Sequence, residues 1–182
     1  IENKTLKKIT TLSPEINRVS SERIWSELNL LLSSKKASPS IKAMDDIGLL
    51  ENIFPELYKS KTILPTFKTL NHLEKLLSNP KQIGAKPIKE IKKILLEKSQ
   101  LIKLGCLLYP LAQKSPIKKI GTKSKTSRKT KISKLLAKLR ASNADTDFVN
   151  SMTICAHSFS NTRFSFTKDL SSRVKLYQFI CE

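Results

Sequence analysis

Apolar residues recur at helical spacing along most of the chain. Residues 2–12 form a lysine-bearing amphipathic segment with Leu6, Ile9 and Leu12 on one side, and Ser13-Pro14 restarts the chain. Ile16 and Val19 lead into a helix that Ser20 and Ser21 can cap, with the Glu22 carboxylate in its first turn. Ile24, Leu28, Leu31 and Leu32 make one apolar face of that helix. Ser38-Pro39 opens a second helix, where Pro39 stands in the first turn and its missing N–H is no loss. Gly48, able to adopt a positive φ, ends it. Leu49, Leu50, Ile53 and Phe54 follow as a hydrophobic hook, closed by Pro55. By pattern alone, residues 19–57 predict a helical hairpin around which the chain is organised.

The same spacing continues. Leu64-Pro65 precedes a helix through Phe67, Leu70, Leu73, Leu76 and Leu77, ended by Asn79-Pro80. A short loop, 81–87, contains Gly84. Ile88, Ile91, Ile94 and Leu95 face one way, with Lys89, Lys92, Lys93 and Lys98 largely around the other side. Residues 100–112 form a denser apolar helix, placed in the core, that Pro110 should bend or end. Ile132, Leu135, Leu136 and Leu139 resume a helical face. Asn143-Ala144-Asp145 starts another helix, with Phe148, Met152 and Cys155 or Ala156 inward, ending near His157. Leu170, Val174, Tyr177 and Ile180 or Cys181 complete a last amphipathic helix. With few glycines and few alternating β-branched runs, the fold class predicted is all-α, with about seven to nine helices.

At 182 residues the chain can build one full core or two small helical subdomains. No apolar run approaches the ~20 residues that span a bilayer, and no signal peptide is visible. The first residue is Ile1 rather than Met, which suggests a piece of something longer. Cys106, Cys155 and Cys181 lack paired spacing and fit a reducing, cytoplasmic setting, where thiols serve as small core residues.

Charge changes the picture more. The net charge of +19 draws polyanions, nucleic acid first and anionic membrane second. The lysine-rich usage of an AT-rich genome would account for part of it, but the charge is unevenly placed. Residues 114–140 hold eleven Lys or Arg and no Asp or Glu, leaving +8 for the other 155 residues. Residues 121–130, GTKSKTSRKT, have no apolar residue and predict a mobile loop, either a solvated basic insertion or a phosphate-contacting arm.

The exact residues carry a resemblance. ERIWSEL at 22–28, Leu31-Leu32, and the run from Met44 through Gly48-Leu49-Leu50 to Ile53-Phe54-Pro55-Glu56-Leu57 resemble the start of the RNA-binding body of the bacterial tRNA nucleotidyltransferase and poly(A) polymerase family. That family pattern is, loosely, V-S-x-E-R-I-x-x-E-L, a spacer, then G-L-L-x-x-I-F-P-E-L. TLNHLEKLL at 69–77, ISKLLAKLRASNADTDFVNSMTICAH at 132–157 and RVKLYQF at 173–179 resemble later family segments. The resemblance implies a neck at 1–18, a body motif at 19–62, and a degenerate HD-like helical region at 63–182 with a basic loop at 114–131. It also implies a catalytic head before Ile1, which in the family adds nucleotides to an RNA 3′ end using ATP or CTP and Mg. Those cofactors are expected only in that head, and none in this chain.

Within the resemblance, the HD signature L-L-H-D-I-G-K-P falls on Leu107-Leu108-Tyr109-Pro110-Leu111-Ala112-Gln113-Lys114. Tyr109 stands where a ligating His would be and Pro110 where the Asp would be. Tyrosine is a poor divalent-metal ligand at neutral pH and proline has no ligating side chain, so metal-dependent hydrolysis is not expected. His72 sits among leucines. His157, at a helix end, is the better of the two histidines for RNA contact. Asp45 and Asp46 are adjacent on a helix, face different ways, and suit helix-end solvation rather than acid–base chemistry. No catalytic and no metal-binding residue is expected, so the chain itself is not read as an enzyme. The expected function is RNA binding in tRNA processing or polyadenylation, with tRNA or another structured RNA as partner. The expected phosphate contacts are Lys89, Lys92, Lys93, Lys118, Lys119, Lys123, Lys125, Arg128, Lys129 and Lys131. Arg23 is expected to brace the ERIWSEL helix against its carboxylates. The alternatives are a non-catalytic helical interaction module with a generic polyanion-binding surface, which predicts an exposed apolar patch, and a membrane-surface binder.

Overall fold

Every regular element among the described residues of this computed structural model (2–59, 63–78, 94, 96–113 and 130–161) is a helix. In chain order these are α1 (Asn3–Leu12), a 3-10 segment (Ser13–Arg18), α2 (Ser21–Ser33), α3 (Ser38–Asp46), α4 (Leu49–Ile53), α5 (Pro55–Tyr58), α6 (Ile63–Ser78), α7 (Ser99–Gln113), α8 (Lys131–Lys138) and α9 (Asn143–Asn161). The all-α expectation holds. The helices predicted around residues 88–95 and 170–181 lie largely or wholly outside the described residues. So do the loop at 81–87 and nearly all of the basic loop at 114–131.

α7 is the hub. A helix that is apolar nearly all round has to be buried; Leu101, Leu104, Leu107, Leu108 and Leu111 of α7 are. It packs against α2, α5, α6, α8 and α9. The organising element is therefore this helix, with the 19–57 hairpin laid on it through Leu28, Leu32, Phe54 and Leu57. Pro110 does not end α7. The helix runs through it to Gln113, so the intrahelical bond that an N–H at 110 would donate to Cys106 is missing inside a continuous helix. Gly105 lets α9 approach closely: a Cβ there would fall 1.8 Å from the Met152 Cε.

Several local signals act as their chemistry requires. Ser20 caps α2, its hydroxyl accepting from the Arg23 N–H at 3.4 Å. Gly48 takes φ +72° between α3 and α4. Pro55 does not close the hook but starts α5, in the first turn where a missing N–H is harmless. Thr130 caps α8 and also donates to Asn150 Oδ1 at 2.7 Å, tying the start of α8 to α9. Ser142 accepts from the Asp145 N–H at the start of α9, which continues beyond His157 to Asn161. On α9 Val149 and Thr153 are buried, Phe148, Met152 and Cys155 are half-buried, and Ala156 is exposed. Lys98 holds its ammonium 5.9 Å from the Phe148 ring centroid.

Arg140 ends α8 at φ +59°, a left-handed conformation that glycine adopts without penalty. The Ala141 N–H closes back on the Leu136 carbonyl at 3.0 Å, as in a helix C-terminal motif that favours glycine. Arg140 also lies 3.7 Å from Glu22, but both side chains are exposed and such a pair contributes little. Arg140→Gly is therefore expected to stabilise the protein by about 0.5–1 kcal/mol. Urea unfolding reads this directly, and a loss of stability would mean that the Glu22 pair outweighs the backbone strain.

Candidate nucleic-acid interface

The turn between α2 and α3, residues 34–37, is held from below by two charges in the core. Lys103 of α7 is 2% exposed and Glu74 of α6 is 5% exposed. Lys103 Nζ donates to the Leu32 carbonyl at 3.1 Å and to the Ser34 carbonyl at 2.5 Å, satisfying groups at the C-terminal end of α2. Glu74 Oε1 accepts from the Ala37 N–H at 2.6 Å and the Ser38 N–H at 3.0 Å. The residue before α3, Ala37, has no capping side chain, so the carboxylate is supplied from another helix. Lys103 Nζ and Glu74 Oε1 are 3.7 Å apart and neutralise each other. Lys35 and Lys36, on the outside of this turn, are exposed.

Beside the turn, α3 and α6 enclose an open cleft of about 900 Å³. Its cations are Lys36 from the turn, Lys42 from α3, and Lys68 and Lys75 from α6. Phe67 and Pro39 give it an apolar surface, and Asn71, Ser38 and Ser78 add hydrogen-bonding groups. Glu74 also borders it, with its carboxylate turned to the core. Lys42 pairs with Asp46 at 2.8 Å, and that hydrogen bond raises its pKa above the ordinary lysine value.

A second groove, about 690 Å³, is of the opposite character. Ile16, Val19, Ile24, Leu30, Leu31 and Met44 line it, with Arg23 and Glu27 among its polar residues. Leu30 is 70% exposed. Elsewhere, Tyr58 donates a hydrogen bond to the Asp45 carboxylate. Partial burial, then this bond, pushes the phenol far above its ordinary range. A raised folded-state pKa means that the contribution is fully present below the unfolded phenol value near 10 and is lost as pH rises beyond it. Tyr58→Phe should therefore lower stability by about 1 kcal/mol at pH 7, with the gap to the parent narrowing above roughly pH 10. Equal unfolding midpoints at pH 7 would rule the contribution out.

Of the phosphate contacts expected from sequence, Lys131 is described: it is exposed, at the start of α8. Lys89, Lys92, Lys93, Lys118, Lys119, Lys123, Lys125, Arg128 and Lys129 lie outside the described residues. Arg23 does not brace its own helix: Glu22 faces Arg140 instead, and Arg23 has no carboxylate partner among the described residues. His72 is exposed on α6. Asp45 and Asp46 each have a partner, Tyr58 and Lys42, rather than solvent alone. Tyr109 and Pro110 lie in the last turns of α7, half-buried and buried. The cleft lysines were not singled out in the sequence. The signal available was the i, i+3, i+7 recurrence of Lys68, Asn71 and Lys75 on the polar side of α6.

The architecture is thus an all-α protein with a basic cleft on one side and an apolar groove on another. Residues 1–60, which include α1 to α5, match a family model described as "Probable RNA and SrmB- binding site of polymerase A". The match supports a poly(A) polymerase-family RNA-binding domain in this third of the chain, with RNA as partner. No curated protein and no solved structure matches the chain. No described helix is long and apolar enough to cross a membrane.

Proposed function

We propose that this chain is the RNA-binding C-terminal part of a tRNA nucleotidyltransferase or poly(A) polymerase-like protein, acting in the cytoplasm. It holds tRNA or another structured RNA and sets where the 3′ end lies for a catalytic head on the same protein. The family match over residues 1–60 carries this reading. The head would bind ATP or CTP and Mg; this chain contributes position and no chemistry. Residues 1–18 act as the neck, 19–62 as the body motif, and 63–182 as a degenerate HD-like region in which Tyr109 and Pro110 replace the metal ligands. The lysines at 89–93 and along 118–131 meet phosphates, which fix register without reading sequence. Binding to tRNA, a DNA duplex of equal length and anionic vesicles, compared across salt, tests the reading. Preference for tRNA by about tenfold, with a log–log salt slope near −4 or steeper, is expected. Equal binding to all three would overturn it.

A second reading, a helical module that docks a protein partner, is favoured by the apolar groove and the exposed Leu30. Leu30→Ser, which adds no charge, would weaken such docking while leaving RNA affinity unchanged.

A further inference from the structure

We infer that the α3–α6 cleft is a subsite for a single-stranded RNA segment, with Lys36, Lys68 and Lys75 meeting its phosphates and Phe67 offering a face to a base. The inference rests on the RNA-binding reading above and places a contact region that includes α6, beyond the family-matched residues 1–60.

Three observations carry it. First, cations from separate elements converge on one concavity: Lys36 from the α2–α3 turn, Lys42 from α3, Lys68 and Lys75 from α6. Lys42 is answered by Asp46. Lys36, Lys68 and Lys75 have no carboxylate partner among the described residues. The bordering acid, Glu74, is already committed to two backbone N–H groups and to Lys103. Three positive charges therefore line the opening with no carboxylate among the described residues to balance them.

Second, the shape selects the ligand. Lys68 and Lys75 are seven residues apart on one helix, roughly 10 Å at the α-helical rise, which is more than one phosphate needs. A cleft of about 900 Å³ lies in the size range of small-ligand pockets, which suits the individual nucleotides of an unpaired strand. Phe67, half-buried against the core and lining the cleft, supplies the aromatic surface on which an unpaired base can stack. Asn71 and Ser78 add hydrogen-bonding groups along the same face.

Third, the site is preformed. The turn that presents Lys36 is fixed by the buried Glu74–Lys103 pair. Little ordering is then required when a strand enters.

The test uses the full chain and a fluorescein-labelled, unstructured oligoadenylate RNA of about twelve nucleotides, a length within the range such sites cover. The variant K36Q/K68Q/K75Q is expected to bind at least about tenfold more weakly, with a salt slope flatter by about 2. K59Q/K134Q/K138Q removes the same charge from exposed lysines elsewhere and should change affinity by less than about threefold. Phe67→Leu keeps an apolar side chain, and should weaken binding by about threefold to tenfold without changing the slope. Thermal midpoints establish that each variant is folded. The inference is overturned if the control lysines matter as much as the cleft lysines, if the cleft variant binds like the parent, or if an RNA duplex competes as well as the single strand. If the parent binds no RNA at all, the RNA-binding reading itself fails, and the subsite with it.

Discussion

Glu74→Ala is expected to destabilise the protein by about 3–5 kcal/mol, the range for removing one partner of a buried ion pair. The substitution would leave Lys103 charged in the core and strip the Ala37 and Ser38 N–H groups of their acceptor. Lys103→Met should fall in the same range, because it leaves the carboxylate without its counter-charge and the Leu32 and Ser34 carbonyls without their donor. In the double variant the two losses should be clearly less than additive, since neither charge is then stranded. Urea unfolding of the four proteins closes the cycle. Additive losses, or a single-variant loss under about 1 kcal/mol, would mean that water reaches the pair and screens it.

Phe54→Ala should cost a similar amount, about 3–5 kcal/mol. The ring is fully buried at the joint between α4 and α5, within the cluster that contains Leu50, Leu57 and the leucines of α7. Truncation leaves a cavity that two short helices, with little hydrogen bonding of their own, are poorly able to close. Phe54→Leu retains most of the volume and should cost less than about 2 kcal/mol. The expected signature is a lower denaturant midpoint with an unchanged m-value. A marked fall in m would instead mean that the α4–α5 hook detaches while the rest stays folded.

Much of the helix pattern could be read from spacing alone, because each helix here has an apolar face and several have a chemical boundary. Ser20, Gly48 and the leucines of α7 are examples in which a local rule and the tertiary structure agree. The proline rule was weaker: Pro55 starts a helix, and Pro110 sits inside one. Glu74 and Lys103 were beyond reach for another reason. In sequence each is a charge in a helical segment, and its worth as a cap exists only once α6 and α7 lie beneath the α2–α3 turn. The same holds for the cleft. A contiguous basic run at 114–131 is conspicuous, whereas Lys36, Lys42, Lys68 and Lys75 become neighbours through folding. Arg140 gives no signal at all, since only the chain path requires a positive φ there.

The family-matched stretch stops at residue 60, but its packing does not. α2 and α5 rest on α7, α3 rests on α6, and among the described residues one buried cluster runs from Leu28 to Val149. The recognition segment is therefore not a portable cassette. A chimera that moves residues 1–60 alone into another protein would carry Leu32, Phe54 and Leu57 without the surfaces that cover them. A transplant that keeps α6 and α7 as well would bring its own foundation.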